Sequence, residues 1–413
     1  MWLVGCKGEV VFKPINETEV VFWDRQTAES AFFIREKSTE FNAIFPGLPI
    51  KVERAGGYAE IFRKVSASIQ AGRLPAMAVS YESMTSEYIP TGAVILLDEY
   101  IFDSEVGLTK EELEDFFPCV LEANKYRDFG NKMYSFPLAK SVLVLYYNLD
   151  VLDKVGISNP PETWEEFLNY LELIKEKTGR YGYAISVDCS TVDAMIYSFG
   201  GEIVSGRETL FDSEVSKSVF RFYRELIEKD LAYVVPPGSF DDQVALAKGE
   251  VGFIIRSSSL RISLERIAKE RPFRWGIGKL PHLRGVLPVT VLFGPNITIF
   301  KTTEDQQRRA WEFVKFMTSR ENVVEWAIHT GYVPIRRSSA THPDMVEYWK
   351  NNPKAKVPFD SLEFARPEPN ISGWQQVRDL VEAALLEVLT LMDTPENVCS
   401  RLKKRADSVL SMQ

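Results

Sequence analysis

Apolar and polar positions along this chain follow two periods, and they alternate. Glu19–Trp23 (EVVFW), Ile50–Arg54 and Ala76–Ser80 are short apolar runs bounded by polar residues, which predicts three strands. Between them, Ser30–Phe45 carries helical spacing and stops at Pro46-Gly47, and Tyr58–Gln70 is a helix closed by Ala71-Gly72. Strand–helix–strand–helix–strand predicts a mainly parallel sheet with helices on both faces. Ligands of such sheets sit outside the carboxyl ends of the strands, where Trp23, Tyr58 and Glu82 fall.

The stretch Lys140–Phe167 (KSVLVLYYNLDVLDKVGISNPPETWEEF) organises the middle of the chain. Ser141–Asn148 reads as a buried strand, and Leu149–Gly156 as a short helix broken at Asn159-Pro160-Pro161. Thr163 is an N-cap and Glu166, three residues on, completes a capping box for a helix over Trp164–Lys177. Further helices are predicted at Val192–Phe199, Ser213–Lys229, Ser239–Ala247, Asp305–Met317, Arg320–Thr330 and Gln375–Leu391. Strands are predicted at Val251–Ile255, Trp275–Lys279 and Asn296–Phe300. The pattern stays α/β beyond the proline elbow. The expected division is a tether over 1–18, a first lobe over 19–148 and 298–336, and a second over 149–297 and 337–413.

Composition narrows the function. A core rarely grows past about 250–300 residues, so two lobes or domains are expected of 413 residues. A net charge of −9 argues against nucleic acid as the main partner. No run of about 18 apolar residues is present for a membrane span. Cys6, Cys119, Cys189 and Cys399 lie far apart, and His282, His329 and His342 are the three histidines, so zinc sites and histidine triads are not expected and no cofactor is implied. Leu3-Val4-Gly5-Cys6 looks like a bacterial lipobox with Cys6 as the lipid acceptor, but only five residues precede the cysteine. A trimmed or misplaced start and a chance match both stay open.

The order and spacing of several motifs resemble the extracellular solute-binding proteins of bacterial ABC importers, carbohydrate-binding class. The motifs are Phe22-Trp23, LYYN at Leu145–Asn148, PPETWEEF at Pro160–Phe167, AKGEVGF at Ala247–Phe253 and TGYVPIR at Thr330–Arg336. The resemblance covers nearly the whole chain and is strongest to the glycerol-3-phosphate-binding branch. It implies a two-lobed periplasmic-binding-protein fold, α/β in each lobe, with a hinge and a ligand cleft between the lobes. It also implies a monomer that captures a small molecule by clamshell closure outside the cytoplasmic membrane and delivers it to a membrane permease. The implied ligand residues are Tyr58, Glu82, Ser141, Ser257, Gly294, Tyr332 and Arg378, with Trp164 as an apolar wall. Trp23 is either pocket wall or core.

On that reading Arg378 offers a fork of N–H groups to a phosphate, completed by Ser141, Ser257, Tyr332 and the Gly294 backbone, while Glu82 and Tyr58 take the glycerol hydroxyls. Small residues of the family are replaced by Lys140 and Arg256, and its Gly-Gly becomes Phe293-Gly294. Alternation along the strand points Lys140 and Arg256 away from the site; the other reading makes them a source of positive field. The expected ligand is glycerol-3-phosphate or a glycerophosphodiester. The alternative is a neutral mono- or oligosaccharide held by Trp23, Trp164 and Glu82. An enzyme is not expected: a glycosidase needs a carboxylate pair, and Glu165-Glu166 and Asp241-Asp242 fall on predicted helix surfaces.

Overall fold

The computed structural model describes residues 11–236 and 238–412. The lipobox-like segment around Cys6 lies outside them. The chain folds into two compact units. The first takes the chain up to Glu114, with Asn124–Leu138 and Pro295–Val323; the second takes Asp115–Ala123, Ala139–Gly294 and everything from Val324 on.

The first unit is built on a five-stranded sheet in the order Ile50–Arg54, Val20–Asp24, Met77–Ser80, Asn296–Ile299, Phe136–Pro137. The first three strands run parallel, as the alternation predicts, and Asn296–Ile299 returns antiparallel beside Met77–Ser80. Val20–Asp24 is buried along its whole length, so it reads as a continuous apolar run rather than an alternating one. Helices Ala28–Ile44 and Glu304–Met317 meet over it, where Phe41 and Phe22 each pack edge-on against Phe313.

The second unit centres on Ser141–Asn148, the hub of a seven-stranded sheet. Val251–Ser257 pairs with its one edge, while Trp275–Gly278 and Thr290–Phe293 pair with the other. This corrects the expected boundary. The central strand belongs to the second unit because its partners lie there, and the chain passes between units at Leu138–Ala139, not at Asn148. The segment after Val323 also belongs to the second unit, fastened by bridges from Lys140 to Val333 and from Phe116 to Arg336.

The capping box forms as read. Thr163 Oγ1 accepts the Glu166 amide at 3.2 Å, and Glu166 Oε2 accepts the Thr163 amide at 3.4 Å. The helix it starts, Trp164–Thr178, buries Trp164, Phe167, Leu171 and Ile174 in the core of this unit.

Candidate functional site

The first unit gathers aromatics and charge at the carboxyl end of its parallel strands. Tyr58 opens helix Tyr58–Ala71, and its ring stacks on Tyr81 at 3.7 Å between centroids, with the Arg25 guanidinium 4.4 Å over it. Tyr81 precedes Glu82, the first residue of helix Glu82–Tyr88, where the helix dipole favours a carboxylate. The Glu82 charge reaches the buried Tyr126 hydroxyl, which burial chiefly, and Glu82 in addition, push above its usual range. Trp23 sits at the end of its strand, 6% exposed, with Lys64 Nζ 4.6 Å over the ring. Its indole N–H lacks a hydrogen-bond partner among the described residues.

The second unit holds a cleft of about 530 Å³, whose lining includes Asp188, Phe240, Gln243, Arg256, Ser257, Ser259 and Arg266. Ser257 ends strand Val251–Ser257; its Oγ lies 2.9 Å from Ser259 Oγ and accepts the Ser259 amide at 3.3 Å. Arg256, one residue earlier, lines the same cleft, so alternation does not turn it away. It is not a free cation, however. Nε and Nη2 bond both oxygens of Asp242 at 2.6 and 2.9 Å. Asp241 is exposed on its helix as expected, but Asp242 is fully buried, which corrects the expectation for that residue: the pairing with Arg256 holds it inside. Arg266, exposed on helix Arg261–Glu270, makes no ion pair or hydrogen bond among the described residues.

Behind Asp188 lies a buried polar network. Asp188 caps helix Cys189–Ser198 by accepting the Ser190 amide at 3.2 Å. Glu368 accepts hydrogen bonds from Arg378 Nη1, from Ser190 Oγ and, at 3.3 Å, from the Trp374 indole. Arg378 Nη2 stands 3.9 Å from Asp188, and Nη1 donates to Ser190 Oγ at 3.4 Å. Burial pushes Asp193 well up, assisted by the charge of Glu368, and raises Asp188 against the pull of Arg378. Burial also opposes ionisation of Glu368, but Arg378, Ser190 and Trp374 outweigh it and bring its pKa below the ordinary value. Arg378 is raised further because its carboxylate neighbours outweigh its desolvation. The ligating atoms of Cys189, Asp193 and Glu368 lie within 4.8 Å of one another. A cation among them would meet the Arg378 guanidinium already bonded to Glu368, so the trio does not fit a metal.

The expected site residues therefore distribute unevenly. Ser257 lines the cleft. Arg378 lies in the network behind it, with its fork engaged by acidic neighbours rather than open to a phosphate. Ser141 starts the central strand, 1% exposed, with a hydroxyl that has no partner among the described residues. Tyr332 is half-buried and stacked on Trp326 at 5.8 Å. Gly294 has φ +131°, and a Cβ there would stand 2.5 Å from the Ala139 carbonyl, so backbone packing by itself requires glycine. Lys140 is fully buried with Nζ 3.4 Å from the Gly294 carbonyl. Trp164 is not a cleft wall. It is 2% exposed, packs on Phe167, Phe199 and Phe222, and donates its indole N–H to Ser198 Oγ at 2.9 Å. Its place one residue after the N-cap turns it onto the buried face. Phe240, Asp188 and Arg266 were not anticipated, because an aromatic before a helix or an acidic N-cap reads as ordinary local structure.

The profile of the bacterial extracellular solute-binding proteins matches residues 38–357. A binding protein of Brucella abortus is 25% identical over 402 residues, 93% of this chain and 91% of its own. The sn-glycerol-3-phosphate-binding periplasmic protein UgpB of Salmonella paratyphi A is 23% identical over 416 residues, 95% of this chain and 92% of that one. Among solved structures, UgpB of Mycobacterium tuberculosis with glycerophosphocholine superposes with a TM-score of 0.84 at 22% identity, covering 96% of this chain and 100% of that one. The cyclic alpha-maltosyl-1,6-maltose binding protein of Arthrobacter globiformis gives 0.83 at 19% identity, over 96% and 99%. At these identities the structures establish the two-domain periplasmic-binding fold. The chain belongs to the bacterial extracellular solute-binding proteins, and it serves an ABC importer by binding a solute rather than by catalysis.

Proposed function

We propose that this chain captures a neutral, hydroxyl-rich solute, a mono- or oligosaccharide, and hands it to a membrane permease. One observation carries the reading: Arg378 is held by Glu368 with Asp188 beside it. A phosphate dianion would have to break that pair and then lie against the freed carboxylate. Arg256 is likewise matched by Asp242. Hydroxyls suit the cleft better, since Asp188 accepts and Ser257, Ser259 and Gln243 both donate and accept. In the first unit, Tyr58, Glu82 and Trp23 offer a phenol, a carboxylate and an aromatic face, chemistry that likewise suits a hydroxyl-rich solute.

A second reading keeps the phosphate. Arg266 is an unmatched cation at the cleft, and UgpB relatives are named for sn-glycerol-3-phosphate. These favour glycerol-3-phosphate or, better, a glycerophosphodiester whose single negative charge asks less of the site. A thermal-shift screen of the wild type and Glu82→Gln against glucose, maltose, maltotriose, glycerol-3-phosphate and glycerophosphocholine separates the readings. The saccharide reading predicts stabilisation by a sugar that Glu82→Gln weakens. Stabilisation by the phosphate esters alone overturns it.

A further inference from the structure

We infer that Phe240 is the stacking platform of this cleft, the side chain that grips the apolar face of a sugar ring. The inference rests on the saccharide reading and names the residue that selects rings over open-chain polyols. Phe240 lines the cleft yet stays 62% exposed, an apolar ring left in water where burial would be favourable. It does not sit on a mobile stem, being the N-cap residue of helix Asp241–Lys248, so the helix start fixes its backbone.

Its side chain is braced as well. The Arg256 guanidinium lies 5.5 Å from the ring centroid. Arg256 is itself clamped by two hydrogen bonds to the fully buried Asp242, with a third from Nη2 to the Ser239 carbonyl at 3.3 Å. An ion pair set in the core thus positions an aromatic ring at the surface. Within the same cleft, Ser257, Gln243 and Asp188 supply hydroxyl-binding groups. A pyranose presents that same division, C–H groups on its faces and hydroxyls around its edge. The partly positive C–H bonds meet the negative face of the aromatic ring.

Exposed Val244, one helical turn on from Phe240, raises a rival use of this patch as a protein docking face. Titration calorimetry on the full chain decides, with glucose, maltose, maltotriose and cellobiose as probes and wild type, Phe240→Ala, Phe240→Trp and Val244→Ala compared. The expected result is a loss of about tenfold or more in affinity for the bound sugar in Phe240→Ala, near-wild-type affinity in Phe240→Trp and Val244→Ala, and an unchanged melting temperature, because an exposed ring adds little to stability. Wild type that binds a probe together with a Phe240→Ala variant of equal affinity overturns the inference and leaves the saccharide reading standing. Wild type that binds none of the four overturns the saccharide reading and this inference with it.

Discussion

Replacing Arg378 with alanine removes the guanidinium that faces Glu368 and Asp188 and leaves both carboxylates without it. The Glu368 and Arg378 side chains are 12% and 14% exposed, so solvent compensates little. Breaking one side of such a buried pair costs about 3–5 kcal/mol. At roughly 2–4 °C per kcal/mol for a unit of this size, the second unit should melt about 6–20 °C lower.

The pH dependence has a definite sign. In the wild type Glu368 titrates below its ordinary 4.5, so the pair contributes fully above that value and its contribution is lost as pH falls through the folded-state pKa. The gap between wild type and Arg378→Ala should therefore be widest near neutral pH and narrow below about pH 4.5. A double variant, Glu368→Gln with Arg378→Met, removes both charges and should recover most of the loss, because an apolar or neutral pair carries no desolvation debt. Urea unfolding followed by fluorescence, with the second unit's transition fitted separately, is the assay. An Arg378→Ala variant within about 1 kcal/mol of wild type, or a double variant no more stable than the single, refutes the argument that this arginine is structurally committed.

Two further substitutions probe the scaffold. Asp24 is 2% exposed, and burial pushes its pKa up to about 6 from 3.8, against the amide hydrogen bond it accepts from Gln26. The folded state then holds the proton more tightly than the unfolded state between about pH 4 and pH 6, so stability falls as pH rises through that window, by about 3 kcal/mol in total at about 1.4 kcal/mol per pKa unit. Asp24→Asn should flatten this slope in melting temperatures taken from pH 4 to 7, and an unchanged slope contradicts the assignment. Trp164→Ala should destabilise the second unit by about 3–5 kcal/mol through the cavity it opens, while calorimetric affinity below its melting point stays at the wild-type value; a stable variant that has lost binding would return Trp164 to the site.

Strands and helices were legible where their period was clean. Helix Arg320–Thr330 matches its predicted span residue for residue, and Thr163-Trp164-Glu165-Glu166 announced a capping box that forms with both reciprocal hydrogen bonds. Helix Pro395–Ser411 was missed although Thr394 caps it, Pro395 opens it and Val398, Leu402, Ala406 and Leu410 repeat at four-residue spacing on its buried face. The lobe boundary was misplaced because Ser141–Asn148 is equally apolar in either unit. Only its pairing with distant strands such as Val251–Ser257 decides where it lies, and pairing partners leave no mark on a strand's own residues. The same limit hid the state of the charges. Nothing local to Arg378 reveals that Glu368, ten residues back across a turn, occupies its fork, or that Asp242 occupies Arg256.

The central claim is that Arg256 at this cleft and Arg378 behind it are already matched by carboxylates, which leaves the cleft for an uncharged ligand in spite of the exposed Arg266. Isothermal titration of the wild-type chain at two ionic strengths tests it most directly, with maltotriose in one arm and glycerol-3-phosphate in the other. The account predicts sugar binding whose dissociation constant does not move with salt, and no heat from the phosphate ester. Tight glycerol-3-phosphate binding that weakens as salt rises, alongside silence toward the sugar, would contradict it.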